Sequence, residues 1–100
     1  MHVIARPAIQ QAIERHPDAA GWLGKWWQNA CKERWESLHD VRALYPAADQ
    51  VDCCLVFNAC GNNYRLVVVV RYRFKKIFVH KVMTHREYDD WNKLYRKGKG

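Results

Sequence analysis

The chain contains no stretch of about 18 uninterrupted apolar residues, so no helix of membrane-spanning length and composition is expected. Its beginning, Met1–Gln11, has no basic segment followed by a long apolar one, so a secretory leader is not expected either. A cytoplasmic setting is the default. Cysteine is present only as Cys31, Cys53, Cys54 and Cys60, with no C-x-x-C pair and no zinc-type spacing. A disulfide framework is therefore not expected, and all four are read as small, reduced core residues, with Cys53 and Cys54 facing opposite sides of one strand. Internal repeats, low-complexity tracts and linkers are lacking. Acidic residues are scarce where basic ones abound. Residues 1–60 hold 6 Lys or Arg against 7 Asp or Glu, whereas residues 61–100 hold 11 against 3. The whole net charge of +7 thus arises from the C-terminal part, which points to a polyanionic partner.

What is present suffices for one small domain over residues 1–100. Hydrophobic residues make up 49% of the 100 positions, enough for a single core. Met1–Ala5 is a short edge strand by composition. Pro7 suits a first helical position, Ile9, Ala12 and Ile13 supply a stripe, and Pro17 stops that helix. Asp18 is a good N-cap for the next helix, in which Ala19, Trp22, Leu23, Trp26, Trp27 and Ala30 recur at helical spacing, running to about Trp35. Tryptophans so placed can stack on bases but more commonly form core. Ser37 can cap a short helix, Leu38–Leu44, ended by Pro46.

From Val51 the chain turns to β-formers. Val51–Phe57 is one strand, Cys60-Gly61-Asn62-Asn63 a turn, and Tyr64–Phe74 a long strand through Val67–Val70. Lys75-Lys76 makes a second turn into Ile77–Met83, so three strands form an antiparallel meander. Thr84 with Glu87 three residues later reads as a capping box, starting a last helix with Tyr88, Trp91 and Tyr95 on its apolar face. The tail 96–100 is expected to fray. The fold class is α+β, in the order β-α-α-(α)-β-β-β-α. An antiparallel sheet carries helices mainly on one face.

The antiparallel turn at Lys75-Lys76 returns Lys81, Thr84 and His85 to the sheet end where Arg65 begins its strand. Asn58, Asn62 and Tyr88 belong to the same end. Arg71 and Arg73 share strand parity with Arg65 but flank the other turn, where a solvated strand end explains them equally well. The gathered set has no carboxylate pair, no metal-ligand spacing and no serine nucleophile. It has cations, amides and proton-transfer groups. That suits metal-independent cleavage of RNA by its own 2′-hydroxyl, with protein groups acting as base, acid and phosphate clamp. A helix N-terminus disfavours a positive ring at His85, leaving it able to accept a proton. Arg65 can hold phosphate oxygens bidentately. His2, His16, His39 and His80 are scattered and take no role.

Several segments together resemble the HigB-type toxin family of bacterial type II toxin–antitoxin modules, which is similar to RelE-like ribonucleases. They are Val56-Phe57-Asn58, Gly61-Asn62, Tyr64-Arg65-Leu66-Val67 and Val82-Met83-Thr84-His85-x-Glu87-Tyr88-Asp89. Met1-His2-Val3-Ile4 and Tyr45-Pro46-x-x-Asp49 add to them. The resemblance implies a small RelE-like, microbial-RNase-like domain and an mRNA interferase that cuts transcripts in the ribosomal A site and halts translation. No cofactor is expected. The resemblance also implies a HigA-type helix-turn-helix antitoxin as partner, with operator DNA bound only through the antitoxin complex and no membrane involved.

On this basis the catalytic candidates are His85, Arg65, Lys81 and Tyr88, with Asn58, Asn62, Arg71 and Arg73 as RNA-binding candidates. His85 or Lys81 is the expected base, and Tyr88 or His85 the expected acid. Two other readings of the same residues stand beside this one: a non-catalytic RNA- or ribosome-binding module, and a domain whose basic face docks an acidic protein.

Overall fold

A computed structural model describes residues 1–4 and 6–99, with side chains for all of these except Arg6 and 95–99. The expected strand end at Ala5, the Tyr95 side chain and Gly100 lie outside the described residues. The elements run β1 (His2–Ile4), α1 (Arg6–Arg15), α2 (Ala20–Lys32), α3 (Leu38–Leu44), β2 (Asp49–Val51), β3 (Cys54–Ala59), β4 (Tyr64–Arg71), β5 (Lys76–Thr84) and α4 (His85–Lys99), with single 3₁₀ turns at Pro17–Ala19 and Tyr72–Phe74. Five strands form one sheet in the order β1-β5-β4-β3-β2. All neighbours are antiparallel except β1, which pairs parallel with the start of β5 through Val3↔Ile77. The α+β class and the edge position of β1 match expectation.

β4 is the middle strand, and its composition explains why. Leu66, Val67 and Val68 are fully buried, and branched side chains fill both faces of a pleated surface without rotamer loss. One face packs under α1, α2 and α3, where Ile9, Leu23, Trp26 and Val41 meet Leu55, Phe57, Leu66, Val68 and Ile77. The tryptophan stripe is core on this face. The Phe57 ring lies 5.5 Å from Trp26, 6.3 Å from Trp35 and 5.1 Å from Tyr45. The other face carries α4, whose Trp91 packs with Val51, Cys54, Val56, Val67 and Met83, and Tyr88 against that group. Three helices on one face and a fourth across the other is the arrangement that brings α4 beside Arg65.

Six expectations change at this level. The strand expected at Val51–Phe57 is a hairpin: Asp52 takes a left-handed φ of 56° and turns β2 into β3. Aspartate tolerates that conformation, so no glycine or proline marks the turn. Cys53 lies in this turn and is exposed, as is Cys31. Cys60 is half-buried, and only Cys54 is core; all four thiols are free. Burial, followed by the hydrogen bond with Cys53, pushes the Cys54 thiol up to about 11. β4 ends at Arg71, and Arg73 lies beyond it in the 3₁₀ turn, so the two do not share strand parity. Asp18 caps no helix. Ala19 precedes α2 with no side-chain cap, and the Asp18 carboxylate instead accepts the Tyr64 hydroxyl at 2.8 Å. Finally, α2 stops at Lys32, short of Trp35, and α4 continues through most of the tail.

The capping box holds. The Thr84 backbone N–H donates to Glu87 Oε1 at 2.9 Å, and the Glu87 N–H donates to Thr84 Oγ1 at 3.2 Å. The Thr84 N–H is the main cause that holds the Glu87 carboxyl below its ordinary value; burial opposes it, and the Thr84 hydroxyl, Arg15 and His16 assist. A carboxyl lowered by folding stabilises fully above its unfolded value and loses that contribution as pH falls through the folded one. Thr84→Ala is therefore expected to cost about 1 kcal/mol in urea unfolding at neutral pH. In Glu87→Gln, the part of the acid destabilisation that sets in below the ordinary value of 4.5 is expected to shrink.

Candidate active site

Arg65 is the second residue of β4, and the turn before it decides where its guanidinium points. Cys60, Gly61 and Asn62 are consecutively left-handed, at φ 52°, 60° and 79°. Glycine and asparagine reach that region at low cost; Cys60 does so with strain. The result turns the Asn62 carbonyl toward the strand. The Arg65 Nη1 donates to it at 2.9 Å and to the Tyr64 carbonyl at 3.0 Å. The Arg65 Cζ also lies 5.6 Å from the centroid of the Tyr88 ring, a cation–π contact of about 0.5–1 kcal/mol in a partly exposed setting. Arg65 is thus held on one side and keeps further donors for an anion.

Across the sheet, Arg65 pairs with Asn58 of β3 and with Met83 of β5. These residues share the face that α4 crosses. Asn58 is half-buried there. Asn62 contributes its backbone carbonyl, which accepts from Arg65. Tyr64 pairs with Thr84, and the His85 N–H donates to the Asn63 carbonyl at 3.3 Å. His85 is therefore fixed to the same turn that aims Arg65. Its exposed ring places Nδ1 3.1 Å from Asp89 Oδ2, one helical turn on. At that distance Asp89 can accept a hydrogen bond from Nδ1, which leaves Nε2 as the ring nitrogen not facing the carboxylate.

The structure brings together Arg65, Tyr88, Asn58, the Asn62 backbone and, through Asn63, His85. Lys81 stands one row further in, opposite Val67, and its charge reaches Cys54. A β-bulge puts it there. Val67 pairs with Lys81 but Val68 pairs with Val79, so His80 is an extra residue in β5. The extra residue lets Phe78 and Lys81, three apart in sequence, share the face of Val67 and Met83. Arg71 and Arg73 lie at the opposite end of β4. Six residues of strand separate Arg71 from Arg65, or about 20 Å. Asp89 was missed by the sequence reading, although its i+4 spacing from His85 was the available signal. Among the described residues no three His, Cys, Asp or Glu side chains cluster in the way a metal site needs.

A strained turn that aims an arginine, and a capped helix whose first residue bonds to the same turn, meet at one end of the sheet. The architecture is compatible with a small RelE-like fold. A family model described as "HigB_toxin, RelE-like toxic component of a toxin-antitoxin system" matches residues 19–91. The chain belongs to that family. Curated relatives agree along the whole length. An Escherichia coli (strain K12) protein named "mRNA interferase toxin HigB" is 32% identical over 103 residues, covering 99% of each chain. "mRNA interferase HigB" of Shigella flexneri matches to the same extent. A further "mRNA interferase HigB", from Escherichia coli O6:H1, is 24% identical over 102 residues.

The His85–Asp89 contact has a spectroscopic signature. In ¹⁵N NMR the neutral His85 ring is expected to be mainly the Nδ1–H form, and Asp89→Ala is expected to shift it toward Nε2–H. An unchanged tautomer ratio would show that Asp89 does not orient the ring.

Proposed function

We propose that this chain is the toxin of a type II toxin–antitoxin module, acting as one domain over residues 1–100, and that it is an endoribonuclease that cleaves mRNA. Relatives that match along their whole length are named mRNA interferases, which supports the substrate. The observation that carries the site assignment is the clamped Arg65 guanidinium on the same turn that anchors His85. The reaction needs a proton acceptor, a proton donor and fixed positive charge, with no group supplied from outside the substrate as nucleophile.

In the proposed mechanism, His85 Nε2 removes the proton of the ribose 2′-hydroxyl. The 2′-oxygen attacks the adjacent phosphorus. Arg65 takes the charge that develops on the non-bridging oxygens, with the two carbonyl contacts already orienting its fork. Lys81, one row away, adds a second cation. The Tyr88 hydroxyl returns a proton to the departing 5′-oxygen. The products are a 2′,3′-cyclic phosphate and a 5′-hydroxyl. Asn58 contacts the ribose or phosphate from the neighbouring strand, and Arg71 and Arg73 hold the RNA backbone further along.

The setting we propose is the cytoplasm. No helix among the described residues is long and apolar enough to cross a membrane. Cleavage takes place on the ribosome and stops translation. A HigA-type helix-turn-helix antitoxin neutralises the toxin, and the complex, rather than the toxin alone, contacts operator DNA. The net charge of +7 fits both a polyanionic substrate and an acidic region of such a partner.

The single changes His85→Ala and Arg65→Ala are each expected to lower the mRNA cleavage rate about 10²-fold or more, the usual scale for losing a general base or a charge-stabilising donor. Primer extension on transcripts from a cell-free translation reaction reads the effect. A folded double variant that still cuts mRNA and arrests growth would overturn the assignment. A variant that binds RNA normally yet has lost cleavage also separates this function from a pure binding module.

A further inference from the structure

The sheet face that carries Arg65 extends well beyond it. On β5 this face reads Lys76, Phe78, Lys81 and Met83, because Ile77, Val79 and Val82 pack on the other side and the His80 bulge brings Lys81 back into line. On β4 it reads Arg71, Val69, Val67 and Arg65, by the same alternation. Trp91 packs with Val67 and Met83, and Val69 packs against that cluster. Phe78, paired with Val69, remains 38% exposed, and its partner on β1, Ile4, remains 42% exposed. A large aromatic on a sheet face, open to solvent, has no structural need to be aromatic.

Its surroundings say what it fits. Lys76 and Arg71 pair with each other in the row on one side of Phe78, and Lys81 stands in the row on the other. None of these three, nor Arg65, is in an ion pair among the described residues. The two strands place no carboxylate on this face. The positions of Phe78 and Lys81 lie opposite Val69 and Val67, two residues apart on β4 or about 7 Å. Aromatic rings between evenly spaced cations are how single-stranded nucleic acid is held without a duplex, the ring taking a base and the cations the backbone.

We propose that Phe78 is a base-stacking residue: a nucleotide of the single-stranded RNA substrate, on the Arg71 side of the scissile phosphate, stacks on its ring while Lys81, Arg71 and Lys76 hold the flanking phosphates. The proposal rests on the RNase reading and adds to it a binding track along β4 and β5. The bulge at His80 is what makes that track continuous, since it sets the Lys81 cation and the Phe78 ring on one face.

The test uses a 2′-O-methyl RNA dodecamer, which lacks the nucleophile and therefore reports binding alone. Phe78→Ala and Phe78→Leu are expected to weaken its binding about tenfold or more, the scale of one lost base stack, while Phe78→Trp binds as the original does. The slope of affinity against salt is expected to stay unchanged in Phe78→Ala and to fall in an Arg71→Ala/Lys76→Ala double variant. The same series read as KM for mRNA in a cell-free translation reaction is expected to rise with little change in the limiting rate. An unchanged melting temperature in Phe78→Leu separates binding from folding. If Phe78→Leu matches the original in both affinity and KM, the platform is wrong, whether the surface serves another partner or none. If instead His85→Ala still cleaves while the Phe78 variants bind weakly, the catalytic assignment fails and the platform stands.

Discussion

The register of β4 against β5 is the constraint on which the rest depends. It is set at one end by the left-handed Lys75, at φ 54°, which closes the hairpin. It is shifted once, at His80, and it ends with Tyr64 against Thr84. A slip of one residue anywhere along it would send Lys81 and Met83 to the wrong face. The apolar demand on both faces holds it in place. Leu66, Val68 and Ile77 must meet the helical layer, and Val67 and Met83 must meet Trp91. The chemistry-bearing residues inherit their positions from that packing.

The last pairing has a further consequence. Because Thr84 is both the end of a strand and the first cap of α4, the helix can begin at only one place relative to Arg65. Its N-terminus then presents His85, and its next turn presents Tyr88 to the guanidinium and Asp89 to the imidazole. The Cys60–Asn62 turn supplies the other half by turning the Asn62 carbonyl onto Arg65 and the Asn63 carbonyl onto the His85 N–H. Backbone strain is thus spent where an arginine must be oriented.

Much of this was legible in the sequence, for identifiable reasons. The tryptophan stripe announced α2 because its period matches a helix, and Thr84 with Glu87 announced α4 because reciprocal capping requires that spacing. The Gly-Asn-Asn turn and the valine run located the hairpins around β4. Other features left no such mark. The Asp52 turn between β2 and β3 lies in a run of β-formers with no glycine or proline. The bulge at His80 depends on cross-strand packing rather than on local composition. Asp18 resembles a cap but bonds Tyr64, 46 residues away, a partner that no local pattern could name. Asp89 lies one helical turn from His85, so its contact follows from local spacing once the helix start is placed.

The central claim is that the substrate's own 2′-hydroxyl is the nucleophile and that the protein moves protons and holds charge around it. The direct measurement is cleavage of an mRNA carrying a single 2′-deoxynucleotide on the 5′ side of a mapped cut site. The account predicts no cut at that bond, normal cutting elsewhere, and a cyclic phosphate at every remaining 3′ end. Cleavage at the deoxy position, or products with a 5′-phosphate, would contradict it.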